Sequence, residues 1–341
     1  MSSQPGDTRE EEERLRLISL APEGAHDDFA EDVRRGLTAG RKFLLPKYFY
    51  DELGSRLFEA ICLLPEYYLT RAEDEIFASH AEAIAAAAST GAARVSLLEL
   101  GSGSATKTRR IVEALVARQN DLLYVPVDIS PAALEQSARV LLQSYPTLRV
   151  TAYAADYAAA IPRLRESLEE DTRALVLFLG SNIGNFDPGG ARDLLAALRR
   201  ALRPGDRVLV GADLKKERAT LEAAYDDALG VTAAFNLNIL ARINRELRAD
   251  FDPRHFRHVA RYDDRHGRVE MHLESTRAQT VNIGALDLSV DFEEGERVHT
   301  ENSYKSDLRD LLRLAEETGY ASTNTWLDEQ ERFSSNLFVA V

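Results

Sequence analysis

Through the middle of the chain, short apolar runs alternate with amphipathic stretches. "RVSLLEL", "LLYVPVDI", "LRVTAYAAD", "ALVLFLGS" and "DRVLVGADL" read as strands between residues 94 and 214. Between them "TKTRRIVEALVARQ", "SPAALEQSARVLLQSY", "YAAAIPRLRESLEE" and "GGARDLLAALRRAL" carry apolar side chains at helical spacing. Continuously apolar strands separated by helices imply a parallel sheet covered on both faces. The expected fold is α/β, a doubly wound Rossmann-like sheet. Ligands of such sheets bind beyond the carboxyl ends of the strands, where the strand order reverses.

The pattern changes on either side. Residues 15 to 90 are helical in spacing, as in "SRLFEAICLLPEYYLTRAEDEIFASHAEAIAAAA", which Pro65 interrupts. Past residue 214 a helical stretch, "KERATLEAAYDDALGVTAAFNLNILARINRELRA", precedes "HFRHVARYD", "RVEMHLEST", "QTVNIGALDLSV" and "ERVHTENSY". These read as an antiparallel hairpin region, with Arg265, His266 and Gly267 at a turn. The helix "KSDLRDLLRLAEETG" and the strand "NLFVAV" return to the core. The expected division is an acidic flexible tail over 1–14 and a helical segment over 15–90 contributing to a substrate lobe. The sheet domain follows over 91–214, an inserted α+β lobe over 215–305, and the returning helix and strand over 306–341.

Composition narrows the partners. Hydrophobic residues make up 45% of 341 and charged residues 29%, enough to build a sizeable core. A formal net charge of −14, with no basic block, argues against a nucleic-acid partner and for a small molecule. Cys62 is the only cysteine, which excludes an internal disulfide and a thiolate metal cluster. The polar, acidic start is unlike a signal peptide, and no apolar run approaches the ~18 residues that span a bilayer. A cytoplasmic monomer that engages no membrane is expected. His255 and His258, in "DPRHFRH", lack a third ligand or a nearby carboxylate, so no metal is expected there.

Candidate chemistry is concentrated in "LLELGSGSATKT", residues 97–108. A triphosphate loop needs Gly directly before Lys107, and Thr106 stands there. A dinucleotide loop needs its third Gly at the same position, which weakens that reading without excluding it. Asp128, in "VPVDIS", ends the second strand where an acid accepts hydrogens from ribose hydroxyls. That role serves NAD equally well, so a nicotinamide-dependent oxidoreductase stays open on these residues alone.

Glu99-x-Gly101-x-Gly103-x-Ala105 resembles the first motif of class I S-adenosylmethionine-dependent methyltransferases. The likeness makes physical sense: that ligand carries a sulfonium and an ammonium, which a carboxylate stabilises, and glycines let the backbone approach it. Asp156-Tyr157, in "YAADYAA", resembles the pair that borders the adenine, and "LRPGDRVLV" the turn before the fifth strand. From about residue 40 onward the chain resembles, more specifically, the histidine Nα-methyltransferases of ergothioneine biosynthesis. The segments that carry this are "KYFYDELGSRLFEAICLLPEYYLTRAE", "LGSGSATKT", "LFLGSNIGNF", "YDDALGVTAAFNLNILARINREL", "VEMHL" and "TENSYKS".

The resemblance implies a methyltransferase sheet with a second, smaller lobe, S-adenosylmethionine as donor, S-adenosylhomocysteine as product, and no metal. Glu99, Gly101, Gly103, Lys107, Asp128, Asp156 and Tyr157 would line the cofactor site. Asn185 and Tyr225 would hold the substrate carboxylate, and Tyr67, Glu301 and Ser303 would recognise an imidazole with Met271 beside it. Tyr50 would lie near the amine, as the catalytic candidate for orienting it or relaying its proton. Glu301 and Ser303, two apart on a strand, can share a face and grip one ring edge. The implied reaction is trimethylation of the α-amino group of L-histidine to hercynine. Tyr157 departs from the Phe often found there, Ser306 replaces an aromatic residue, and Asn302 sits between the two imidazole contacts. These departures keep a same-fold enzyme acting on another aromatic amino acid, such as tryptophan, as the alternative.

Overall fold

A computed structural model describes residues 13–20, 25–103 and 105–341, so the first twelve residues of the expected acidic tail lie outside the described residues. The chain forms two compact units. One comprises Met1–Ala21, Arg71–Leu214 and Ser306–Val341, the other Pro22–Thr70 and Lys215–Lys305. Among the described residues no helix is long and apolar enough to cross a membrane.

The first unit begins with β1 (Leu15–Ser19). Its core strands are β2 (Val95–Leu100), β3 (Leu122–Asp128), β4 (Leu148–Ala154), β5 (Arg173–Phe178) and β6 (Arg207–Asp213), the five that the apolar runs predict. They pair in parallel, and every residue of β2 and β6 is buried. Helices Pro131–Ser144 and Pro188–Ala201 start at Ser130 and Asp187, whose side chains accept from Ala133 N at 3.3 Å and Gly190 N at 2.7 Å. Each has Pro in its first turn, where a missing N–H costs nothing.

Three stretches of this unit differ from the sequence expectation. Leu15–Ser19, within the segment expected to be helical, is a strand paired in parallel with β4. Arg14 anchors it by donating to the carbonyls of Leu142, Tyr145 and Leu148, so long-range pairing overrides the local pattern. "YAAAIPRLRESLEE" forms only a short helix, Tyr157–Ala160, and a 3₁₀ turn, Ile161–Ser167, because Pro162 has no N–H for an α-helical hydrogen bond. The helix Leu69–Ala88, expected with the substrate lobe, lies in the first unit from Arg71 onward.

In the second unit β7 (Phe256–Asp263), β8 (Arg268–Ser275) and β11 (Arg297–Tyr304) form an antiparallel sheet in the order β11-β8-β7. β9 (Gln279–Ile283) and β10 (Leu288–Phe292) make a separate hairpin. "QTVNIGALDLSV" reads as one strand but reverses at Gly284–Leu286, where Asp287 takes φ +47°. The long helical stretch likewise divides into Arg218–Tyr225 and Val231–Leu247. Asp227 caps the second of these, accepting from Val231 N at 3.0 Å and Thr232 N at 2.7 Å.

Back in the first unit, β12 (Tyr320–Leu327) and β13 (Phe333–Ala340) complete an eight-stranded sheet, β1-β4-β3-β2-β5-β6-β13-β12. β13 is antiparallel to β6 and to β12. β12 escapes the sequence reading because it is an edge strand with mostly exposed residues. Strand order runs outward from β2 to β3 and β4 on one side and to β5 and β6 on the other, so the reversal falls between β2 and β5.

Gly211 of β6 has no room for a methyl group, which would stand 2.2 Å from Glu73 Oε1 and 3.2 Å from Phe333. Gly211→Ala should lower the unfolding free energy by roughly 1–3 kcal/mol. Chemical denaturation checks this; an unchanged midpoint contradicts the packing.

Candidate active site

Sequence places the glycine loop directly after β2, and the structure shows what shapes it. Gly101 N and Ser102 N donate to Val127 O at 2.8 and 3.1 Å, which folds the loop toward the end of β3. Gly101 has φ +75°, and a Cβ there would lie 2.5 Å from Tyr157 Oη and 2.8 Å from Asn182 Nδ2. Only glycine satisfies both the backbone angle and the space. Gly103, at φ +50°, donates its N–H to Asp128 Oδ2 at 2.9 Å, while Asp128 Oδ1 accepts from Ser130 N at 3.0 Å. Asp128 thus holds the loop's shape, and its four lone pairs outnumber the three backbone N–H groups, of Gly103, Ile129 and Ser130, that act on it. Burial pushes its pKa up against the pull of those backbone N–H groups.

Glu99 is buried beneath the loop. Its carboxylate accepts from Thr108 Oγ1 at 2.6 Å and from the Tyr124 hydroxyl. Burial pushes its pKa up to about 7, with the two hydroxyls and the Lys107 charge opposing and Glu73 adding to the rise. Lys107 forms an ion pair with Glu73, which is fully buried and also accepts from Gly180 N at 2.9 and 3.0 Å. Gly180 and Ser181, just past β5, are consecutive left-handed residues at φ +68° and +59°. Ser181 Oγ accepts from Asp213 N at 3.0 Å, which holds a conformation costing about 1–2 kcal/mol for a non-glycine residue.

Tyr157 follows β4 and packs edge-on to Phe178 with ring centroids 5.6 Å apart. Burial, then the charges of Asp128 and Glu99, raises its pKa well above the usual phenol value. Asp156 is exposed and caps the short helix, accepting from Ala159 N at 2.8 Å. Asn185 ends the 3₁₀ turn Asn182–Asn185 and is exposed. It belongs to the first unit, unlike the other proposed substrate contacts.

The second unit gathers those other contacts. The register of β11 against β8 slips between His299 and Glu301, a bulge whose Thr300 hydroxyl donates to Met271 O at 3.1 Å. The slip changes which side chains turn inward. Beyond it Glu301, Ser303 and Lys305 alternate as buried residues, and Met271 lies directly opposite Glu301. Tyr225 Oη and Ser303 Oγ are 2.7 Å apart, and Lys305 Nζ donates to both at 2.8 Å. The Tyr67 ring meets Tyr225 edge-on at 6.1 Å, and Phe58 stands between Tyr67 and Tyr50 at 6.1 and 5.6 Å.

Asp51 fixes the backbone beside Tyr50, accepting from Gly54 N at 2.7 Å, Asn238 Nδ2 at 2.8 Å and Arg245 at 2.6 Å. Burial pushes the Glu301 pKa up to about 7 against the Lys305 charge. Its carboxylate accepts no hydrogen bond among the described residues. Asn302 faces away, its Oδ1 2.9 Å from His299 Nε2. His258 has both ring nitrogens engaged, Nδ1 with Asn236 and Nε2 with the Tyr225 carbonyl, each at 2.8 Å.

Three residues of these clusters were not singled out in the sequence. Glu73 is hidden inside a helix whose other acids are solvated, and nothing local marks it. Asn182 and Lys305 lie within "GSNIGNF" and "TENSYKS", so alternation along β11 from Glu301 could have found Lys305.

The fold and the glycine loop define a Rossmann-like methyltransferase. A family model described as "Histidine-specific methyltransferase, SAM-dependent" matches residues 29–340. The chain is 41% identical to histidine N-alpha-methyltransferases of Mycolicibacterium smegmatis and Mycobacterium tuberculosis, over 94% and 93% of its length and 97% of theirs. It is 31% identical to ergothioneine biosynthesis protein 1 of Neurospora crassa, over 81% of this chain and 31% of that one. The chain belongs to the family of S-adenosylmethionine-dependent, histidine-specific methyltransferases.

Gly101→Ala should weaken S-adenosylhomocysteine binding by about tenfold or more, since the left-handed angle alone costs about 1–2 kcal/mol. Calorimetry reads this, and unaltered affinity would remove Gly101 from the site. The raised carboxyls predict a pH effect on stability. Glu99 and Glu301 titrate near 7 in the folded chain against a reference of 4.5, so the folded state holds more protons between those values. Their contribution is largest below pH 4.5, declines as pH rises to 7 and is constant above. Denaturation of Glu99→Gln across this window should show a shallower decline than the parent chain; an equal slope contradicts the assignment.

Proposed function

We propose that the chain transfers methyl groups from S-adenosylmethionine to the α-amino nitrogen of L-histidine, three in succession, to give hercynine in the first step of ergothioneine biosynthesis. The observation that carries the substrate is the buried Glu301 carboxylate, which accepts no hydrogen bond among the described residues and stands beside the Ser303 hydroxyl and opposite Met271. A neutral imidazole offers one N–H and one acceptor nitrogen, which match a carboxylate and a hydroxyl. Its apolar face suits the Met271 thioether. An indole has a single N–H and no ring acceptor, so it would leave one of the two polar groups unsatisfied. Tyr67 closes the ring side of this set, and Tyr225, edge-on to it, offers a hydroxyl to the substrate carboxylate.

The residues of the first unit fit the methyl donor. Asp128 retains a lone pair for a ribose hydroxyl, Gly101 leaves open a space that a Cβ would fill, and Glu99 and Asp128 supply the negative charge that suits a cation. Gly103, Lys107, Asp156 and Tyr157 complete the proposed contacts. When bound, S-adenosylmethionine supplies an electrophilic methyl group on a sulfonium. In each transfer an N–C bond forms as the S–C bond breaks, one proton leaves the nitrogen, and S-adenosylhomocysteine departs. The nucleophile is the substrate's own amine, so the chain's task is positioning, and the chemistry asks for no metal. Tyr50 orients the amine and passes its proton outward. The third transfer leaves a nitrogen without a lone pair, which ends the sequence.

Incubation with S-adenosylmethionine and histidine, followed by mass detection, should show one, two and then three added methyl groups. Tryptophan should remain unmodified. Because Glu301 titrates near 7, kcat/KM for histidine should fall as pH drops through that value. Glu301→Gln should lose the part of this limb that the substrate's own ionisation does not supply. Methylation of tryptophan in preference to histidine would overturn the substrate assignment.

A further inference from the structure

Lys305, one residue past β11, is a buried cation, and nothing in the reaction as described uses it. It is 4% exposed, and its ammonium donates to Tyr225 Oη and Ser303 Oγ, each at 2.8 Å. With the 2.7 Å contact between those two oxygens, three groups form a closed triangle. The ammonium also stands 4.5 Å from the centroid of the Tyr225 ring. Its backbone N–H donates to Gly267 O at 2.7 Å, which fixes the strand end that carries it.

A buried ammonium loses its hydration and must regain it from fixed acceptors. Among its acceptors are the two hydroxyls proposed to touch substrate, so Lys305 turns a lone pair of each toward itself and restricts where their protons can point. The ionisable groups acting on the neighbouring Tyr67 are Tyr225, Cys62, Tyr50 and Glu301, and a second cation, Lys215, lies by Gly267 at the Lys305 backbone. Lys305 is the opposite charge acting on Glu301.

We propose that Lys305 is a positioning residue for imidazole recognition: its ammonium, by donating to both, sets the hydroxyls of Ser303 and Tyr225. An ionised carboxylate can only accept, so it selects the N–H edge of the ring. A protonated carboxyl would donate instead and would compete with Ser303 for the ring's acceptor nitrogen. Without the ammonium the buried carboxyl follows desolvation alone and takes up its proton at higher pH. This inference rests on the histidine reading above.

The test compares the full chain with Lys305→Met, Lys305→Arg and the double variant Lys305→Met/Glu301→Gln. S-adenosylhomocysteine affinity and thermal melting serve as checks of folding. Lys305→Met should raise KM for histidine by about tenfold or more while kcat at saturation changes far less. The acidic limb of kcat/KM should move to higher pH, and the double variant should lack that movement. In infrared difference spectra near neutral pH, Lys305→Met should show a stronger protonated-carboxyl band than the parent chain, and the double variant should lack that increase. Lys305→Arg, which keeps charge but changes geometry, should raise KM and leave the limb in place; it carries the test if Lys305→Met does not fold.

A folded Lys305→Met with unchanged KM, limb and carboxyl band overturns the proposal while leaving histidine as substrate. A parent chain that neither binds nor methylates histidine overturns the substrate reading itself, and the imidazole role of Lys305 with it.

Discussion

Taking carboxylates out of water is the constraint on which both units depend. A buried carboxylate costs several kcal/mol unless something replaces its hydration. Glu73 is answered by the Lys107 ammonium and the Gly180 N–H, Asp128 by backbone N–H groups, and Glu99 by the hydroxyls of Thr108 and Tyr124. Each answer ties one element to another that is distant in sequence, so satisfying the charge and shaping the first unit are one process. Glu301 is the exception, with the Lys305 charge but no hydrogen bond among the described residues. A carboxylate left short of donors is the natural place for a ligand that brings one.

Backbone geometry carries the second part of the design. The loop after β2 and the turn after β5 both use left-handed residues, Gly101 and Gly103 in one and Gly180 and Ser181 in the other. They flank the point where strand order reverses, so the tightest turns are found where a doubly wound sheet binds its ligand. In the second unit the same task falls to the bulge at Thr300. By slipping the register it places Glu301 and Ser303 together on the buried side of β11, with Lys305 buried one residue past its end. Asn302, between them, is turned to the opposite face and pairs with His299. The departure at Asn302 therefore lies away from the face that carries Glu301 and Ser303.

The parallel core strands and most of their helices were legible because burial on both faces leaves an unbroken apolar run, which few other structures produce. β1 and β12 were not, since edge strands are held by pairing rather than by apolar content. The break at Pro162 and the reversal at Asp287 were visible only as single residues inside otherwise regular patterns. The candidates in distinctive segments, Tyr67, Tyr225, Glu301 and Ser303 among them, were singled out through family resemblance and residue chemistry, and the structure buries all four. Glu73 carried no such mark, because an acid in a helix is ordinarily solvated.

By itself, the sequence determined the α/β class, the position of the glycine loop and the family, because these depend on periodicity and on residue identities within short windows. Only the tertiary structure decided that Lys107 meets Glu73, that Asp128 braces the loop, and that Lys305 joins Tyr225 and Ser303. Those partners lie 34, 25 and 80 residues apart for Lys107–Glu73, Gly103–Asp128 and Lys305–Tyr225. Which distant groups satisfy a buried charge is settled by how the elements pack, and no local pattern encodes it.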